Sequence, residues 1–100
     1  MDTLTATTVF ESLASGTRLD VFKCLIRKGP EGMVAGDIAT ALDISASNLS
    51  FHLKDMVHKG LINVTPEGRF LRYRANLTLM HDLVDFLLAE CCIDSPQKRC

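Results

Sequence analysis

Cys91 and Cys92 are adjacent near the carboxyl end of a 100-residue chain, and Cys100 follows eight residues on. Thiolate is a soft ligand that prefers soft ions to Mg or Ca. Three thiols in ten residues are the donor set that As(III) or Sb(III) requires, because each bonds three sulfurs in a pyramid with a lone pair in the remaining direction. Helix neighbours lie about 100° apart, so Cys91 and Cys92 converge only where a helix frays. Asp94-Ser95-Pro96 supplies a bend that brings Cys100 back over them. Glu90 and Asp94 add to the partial negative charge of a helix carboxyl end, and Lys98 and Arg99 offset only part of it. Such surroundings do not favour a redox trigger that depends on a strongly activated thiolate. Arsenite tolerates them, because arsenous acid exchanges its hydroxyls for thiols and releases water with no net proton. The fourth cysteine, Cys24, falls in an apolar helical stretch, where a free thiol is usually a small core residue.

The elements that must position these thiols follow from periodicity. Leu4 to Leu13 reads as a short first helix, and Ser15-Gly16-Thr17 breaks it and caps a second. Leu19, Phe22, Leu25 and Ile26 carry helical spacing up to the stop at Gly29-Pro30. Val34 to Leu42 reads as a third helix. Ser45 is the N-cap of a fourth, whose inward stripe is Leu49, Leu53, Met56 and Val57, with Gly60 at C′. Leu61–Thr65 and Phe70–Ala75 read as strands about a turn at Pro66–Arg69. Asn76 caps a last helix expected to run from Leu77 to about Cys92. Met80, Leu83, Val84, Leu87 and Leu88 fill one face of it, while Leu79 and Phe86 lie off that stripe. A helix apolar on more than one side is buried on more than one side, and in so small a chain the second surface is most simply a twin subunit.

Net charge is −1, but its distribution is uneven. Residues 51–75 hold five basic side chains (Lys54, Lys59, Arg69, Arg72 and Arg74) against two acidic ones, with His52 and His58 beside them. A local positive patch on a near-neutral body attracts phosphate. No apolar run approaches a membrane span, and the first residues have no signal-like core, so a soluble cytoplasmic protein is expected. In that compartment cysteines serve as thiols or ligands rather than as a disulfide framework. No acid–base pair, activated nucleophile or phosphate loop stands out, so no enzyme and no small-molecule substrate is expected.

Helix, four-residue turn and helix across Val34–Val57 form a helix-turn-helix pattern, and the hairpin behind it supplies a wing. The expected fold is mainly α with a small β-hairpin, a winged helix-turn-helix of order ααααββα. Residues 1–92 would form the DNA-binding and dimerisation domain and 93–100 a tail bearing a thiol ligand. Ser45, Ser47, Asn48, Ser50, His52 and Lys54 line the exposed start of the fourth helix, where hydroxyls and amides meet base edges and lysines meet phosphates. Arg69 sits in the turn, and Arg72 and Arg74 share one face of the ribbon, placed to clamp backbone or reach the minor groove. Tyr73 points the other way, into the packing.

The segment Ala41-Leu42-Asp43-Ile44-Ser45-Ala46-Ser47-Asn48-Leu49-Ser50-Phe51-His52-Leu53-Lys54, followed by His58-Lys59-Gly60-Leu61-Ile62, resembles the recognition region of the ArsR/SmtB family. Gly68 to Arg74 is similar to its wing and Leu19 to Ile26 to its second helix, so the resemblance spans residues 5–92. It implies a homodimeric repressor that leaves operator DNA on binding a metal or metalloid. Arsenic repressors with a cysteine run on the third helix have no counterpart here, since Val34 to Ala39 contains no thiol. The zinc branch's Asp and His pairs on the last helix are matched only in part by His81, Asp82 and Asp85. The trio Cys91, Cys92 and Cys100 is similar to a variant of arsenic sensors with Cys-Cys and a later Cys, although the last gap is longer here. The resemblance therefore implies As(III), or Sb(III), as inducer with no organic cofactor. A thiol redox or persulfide sensor pairing Cys24 with a C-terminal cysteine remains open, as does a Cd/Pb/Zn sensor using the trio with an oxygen or His81. Cys91 packed in a dimer seam with the other two incidental is a further alternative.

Overall fold

The computed structural model describes residues 1–96. Five helices and a three-stranded antiparallel sheet follow one another as α1 (Thr3–Leu13), α2 (Gly16–Lys28), β1 (Met33–Val34), α3 (Ala35–Leu42), α4 (Ala46–His58), β2 (Ile62–Glu67), β3 (Phe70–Ala75) and α5 (Leu77–Leu88). This is the expected winged helix-turn-helix. Helix starts are set by side-chain caps: Asp2, Ser15, Ser45 and Asn76 each accept from a backbone N–H three residues on.

Two sharp helix ends fix the reading unit. At the end of α3, Asp43 takes the left-handed conformation (φ 53°), with Ile44 N–H donating to Ala39 O and Asp43 N–H to Thr40 O. At the end of α4 the same pattern recurs around Gly60 (φ 82°), from Leu61 N–H to Met56 O and Gly60 N–H to Val57 O. These paired bonds satisfy the orphan carbonyls of each last turn and reverse the chain abruptly. The first sets α4 across α3; the second drops Leu61 into the core and launches the wing.

The core lies where α1 to α4 meet the sheet. Val21, Leu25, Ile38, Leu49, Leu53, Met56 and Leu61 are essentially inaccessible. Tyr73 is buried as expected, which pushes its phenol above the ordinary tyrosine range.

Four expectations are corrected. Val34 does not begin α3: it is extended, pairs with Arg72 of β3 and serves as the helix's N-cap position, while Met33 pairs with Tyr73. Hydrogen bonding to β3 outweighs the helical pattern that the sequence suggests for Val34. The wing is longer than expected, because Pro66 and Glu67 belong to β2 and the turn is only Gly68-Arg69. Proline fits there because β2 is an edge strand, in the order β1-β3-β2. α5 stops at Leu88, so Cys91 and Cys92 lie beyond it in successive turns. Lastly, its apolar residues divide differently: Leu79, Met80, Leu83 and Phe86 pack on the core, while Leu77, Val84, Leu87 and Leu88 face outward. No described helix is long and apolar enough to cross a membrane.

Candidate nucleic-acid interface and thiol site

The first turns of α4 present Ser45, Ser47, Asn48 and Ser50 to solvent, with Lys54 on the next turn. Ser45 is already engaged, accepting from Asn48 N–H at 3.2 Å, and its hydroxyl lies 3.5 Å from that of Ser47. The cap holds the helix start rigid while leaving the remaining polar side chains available, the arrangement that major-groove entry by a helix N-terminus requires.

His52 is placed differently from the other α4 residues. It is half-buried, and its Nδ1 lies 3.2 Å from Arg18 Nη1 of α2. A guanidinium only donates, so Nδ1 is the acceptor in this contact. Arg18 also donates through Nε to Ser12 O at 2.6 Å, and the same nitrogen lies 3.6 Å from Asp55 Oδ2. Asp55 accepts from the Ser12 hydroxyl at 3.1 Å and pairs with Lys59 at 3.2 Å. Burial acts to raise the Asp55 carboxyl, but hydrogen bonds from Lys59 and Ser12 and the charges of Lys59 and Arg18 hold it below the ordinary range. A polar brace thus ties α1, α2 and α4 together and fixes the rotation of the reading helix. Sequence reasoning missed it; the signal was an Asp55–Lys59 pair one helical turn apart on an otherwise apolar flank.

The wing's three arginines divide into two groups. Arg69 stands exposed in the two-residue tip. Arg72 forms a two-point pair with Glu67, at 2.7 and 3.0 Å, and donates to the carbonyls of Glu31 and Gly32. The Arg72 hydrogen bond pulls the Glu67 carboxyl below its ordinary range, and the pairing raises the guanidinium in turn. Arg74 donates to Pro30 O and to the Thr65 hydroxyl. Both strand arginines therefore anchor the wing to the chain between α2 and β1. Behind the tip, a cleft of about 320 Å³ separates the wing from α3 and α4, with Leu49, Ser50, Arg69, Phe70 and Leu71 among its walls.

At the far end of the molecule, Cys91 and Cys92 follow α5 in a chain of tight turns, with Cys91 N–H donating to Leu88 O and Ser95 N–H to Cys92 O. Cys92 has φ 62°, a left-handed conformation that costs a non-glycine residue about 1–2 kcal/mol. The consequence is geometric: the two sulfurs lie 3.6 Å apart. That is well beyond an S–S bond, so the two are not joined to each other. It corresponds to an S–ion–S angle of about 103° at the ~2.3 Å bond length of metal thiolates. Cys100, the third expected ligand, lies outside the described residues. Among the described residues no cluster of three or more His, Cys, Asp or Glu side chains forms a metal site. Cys24 is half-buried on α2, with its sulfur 3.4 Å from that of Met33.

Comparison with known proteins agrees with this geometry. A helix-turn-helix domain family model matches residues 13–65, just over half of the chain. The transcriptional repressor SdpR of Bacillus subtilis is 32% identical over 80 residues, covering 80% of this chain and 86% of the relative. An ArsR-like transcriptional regulator from Rhodococcus sp. RHA1 superposes with TM-score 0.76 at 24% identity, covering 95% of this chain and 86% of that one. The homodimeric winged helix-turn-helix domain Mb0332 of Mycobacterium bovis gives 0.67 at 25% identity, covering 86% and 80%. The antimony-specific repressor AntR gives 0.66 at 23% identity, covering 93% and 80%. The family match and the 32% identical repressor place the chain in the helix-turn-helix domain family, and its likeness to the ArsR-like structures is one of fold.

Proposed function

We propose that this protein is a cytoplasmic, homodimeric repressor that releases operator DNA when As(III) or Sb(III) is bound by Cys91, Cys92 and Cys100. The observation that carries the proposal is the pair of sulfurs 3.6 Å apart just past α5, reached through a left-handed cysteine. Strained non-glycine backbone is retained where the surrounding structure or its function demands it. An antimony-specific repressor among the structural neighbours supports the choice of a pnictogen, and a named repressor among the relatives supports the direction of control.

Dimerisation follows from what α5 leaves uncovered. Leu87 and Leu88 are 56% and 59% exposed, with Leu77 and Val84 on the same outward side, and the first helix exposes Leu4 and Phe10. The chain extends 56 × 23 × 21 Å, with a radius of gyration of 15.8 Å against about 13 Å for a compact chain of this length. A second copy buries these surfaces, and a homodimeric neighbour supports that assembly. Two reading helices would then meet half-sites about one DNA turn apart.

Starting from the three cysteines as reduced thiols, the chemistry balances. Three As–S bonds form as three As–OH bonds break, and each thiol proton leaves in a water molecule. Capture ties residues 93–100 to the end of α5, next to the apolar face that the dimer uses. A coupling of about 1–3 kcal/mol between that event and operator grip changes DNA affinity about 5- to 150-fold.

The test is release from a high-affinity duplex, selected from random sequence, on parallel addition of arsenite, Cd, Zn and peroxide. Arsenite should dissociate the wild type. Cys91→Ser, Cys92→Ser and Cys100→Ser should bind DNA normally and stay bound. Release by peroxide alone would replace the proposal with a thiol redox switch. Release by Cd or Zn alone would replace it with a divalent-metal sensor.

A further inference from the structure

α4 carries one side chain that the polar account of its outer surface does not explain. Phe51 is 69% exposed, the most open residue of the core-building helix-turn-helix that is also strongly apolar. Ser47 and Asn48 precede it by four and three residues and Lys54 follows by three, so all four share one face of α4. The ring is not loose on that face. It stands edge-on to the His52 imidazole, with centroids 5.7 Å apart and planes at 74°. His52 is itself held by Arg18, which Ser12 and Asp55 hold in turn. A large apolar surface is thus kept in water, oriented by a chain of contacts that begins in α1, amid the side chains best placed to meet base edges.

In the major groove, base edges display donors, acceptors and one apolar group, the C5-methyl of thymine. We infer that Phe51 is a specificity-determining residue whose ring packs on a thymine methyl when α4 enters the groove. The inference rests on the DNA-binding role described above and adds to it the identity of one base. The ring loses water only on docking, so its contribution appears in sequence discrimination rather than in fold stability. Phosphate contacts from Lys54 and Arg69 do not distinguish sequences, whereas a methyl contact does.

The test uses the full chain. Wild type selects high-affinity duplexes from a random-sequence pool, and the best duplex is remade with deoxyuridine in place of each thymine in turn. That exchange removes the methyl and preserves both the pairing and O4. Wild type should bind about four-fold more weakly at one thymine per half-site, the value of one buried methyl. Phe51→Ala should bind thymine and uracil duplexes equally there, with an unchanged melting temperature because the side chain supports nothing in the core. Equal binding of both duplexes by wild type, or an undiminished preference in Phe51→Ala, would overturn the assignment while leaving DNA binding intact. A change of oligomeric state in Phe51→Ala would overturn it in favour of a protein contact. Failure of wild type to enrich any sequence would instead remove the DNA-reading role on which the inference stands.

Discussion

Replacing Arg18 by Met keeps the stem as far as the position of Nε and removes every bond the guanidinium makes. Its Nε donates at 2.6 Å to Ser12 O, one of the last four carbonyls of α1, which have no intrahelical donor. Ser12 is fully buried, so water does not replace that donor without local opening. An unsatisfied buried acceptor costs about 1–3 kcal/mol. Loss of the partly exposed charge pairing with Asp55 adds about 0.5–1 kcal/mol after solvent screening. The expected destabilisation is therefore about 1.5–4 kcal/mol, a large share of the ~5–15 kcal/mol that holds a small domain together. Lys59→Met removes only the pairing with Asp55 one helical turn away and should cost about 0.5 kcal/mol. Urea unfolding of both variants measures the difference. The pH dependence gives an independent check. Asp55 is held below its ordinary range when folded, so its stabilisation is complete above the unfolded carboxylate value and is lost as pH falls through the folded one. Removing Arg18 narrows that gap by the smallest of its causes, so the acid limb of the stability profile should move to higher pH by less than in Lys59→Met. An Arg18→Met variant within about 0.5 kcal/mol of wild type, with an unmoved acid limb, would refute the brace.

Other consequences are separable from that one. Arg69→Ala, at the open wing tip, should lower the salt slope of DNA binding by about one per subunit, as read from affinity against salt concentration. Arg72→Ala should lower the melting temperature first, because its guanidinium is committed to Glu67 and two backbone carbonyls; an unchanged melting temperature would contradict that role. Gly32→Ala should destabilise by at least ~2 kcal/mol in urea, since the residue has φ 65° and an added Cβ would collide with the Tyr73 carbonyl oxygen. Leu87→Asp should shift sedimentation from dimer to monomer with little loss of helical signal, because that side chain faces away from the chain's own core.

Much of this architecture was legible because its signals are local. Ser45 and Asn76 announce helix starts by their side-chain oxygens, and Gly60 announces a stop by the backbone it permits, so the order of the five helices and the hairpin followed from punctuation and periodicity. What was not legible depends on residues distant in sequence. Val34 is claimed by Arg72 across the sheet, and Pro66 is tolerated only because β2 lies on an edge, a fact of topology rather than of propensity. Arg72 and Arg74 look like free cations along a ribbon until Glu67, Glu31, Gly32 and Pro30 are brought to them. Arg18 and Asp55, 37 positions apart, carry no mark of their partnership. At the thiols the early stop at Leu88 and the left-handed turn at Cys92 set the two sulfurs 3.6 Å apart, and no propensity of cysteine predicts that conformation.

The most direct measurement is X-ray absorption at the arsenic edge on protein loaded with one equivalent of arsenite per chain. Three sulfur neighbours and no oxygen are expected for wild type, with one sulfur replaced by oxygen in Cys92→Ser. Oxygen or nitrogen neighbours around the arsenic of wild type, or a sulfur shell indifferent to that substitution, would contradict the account.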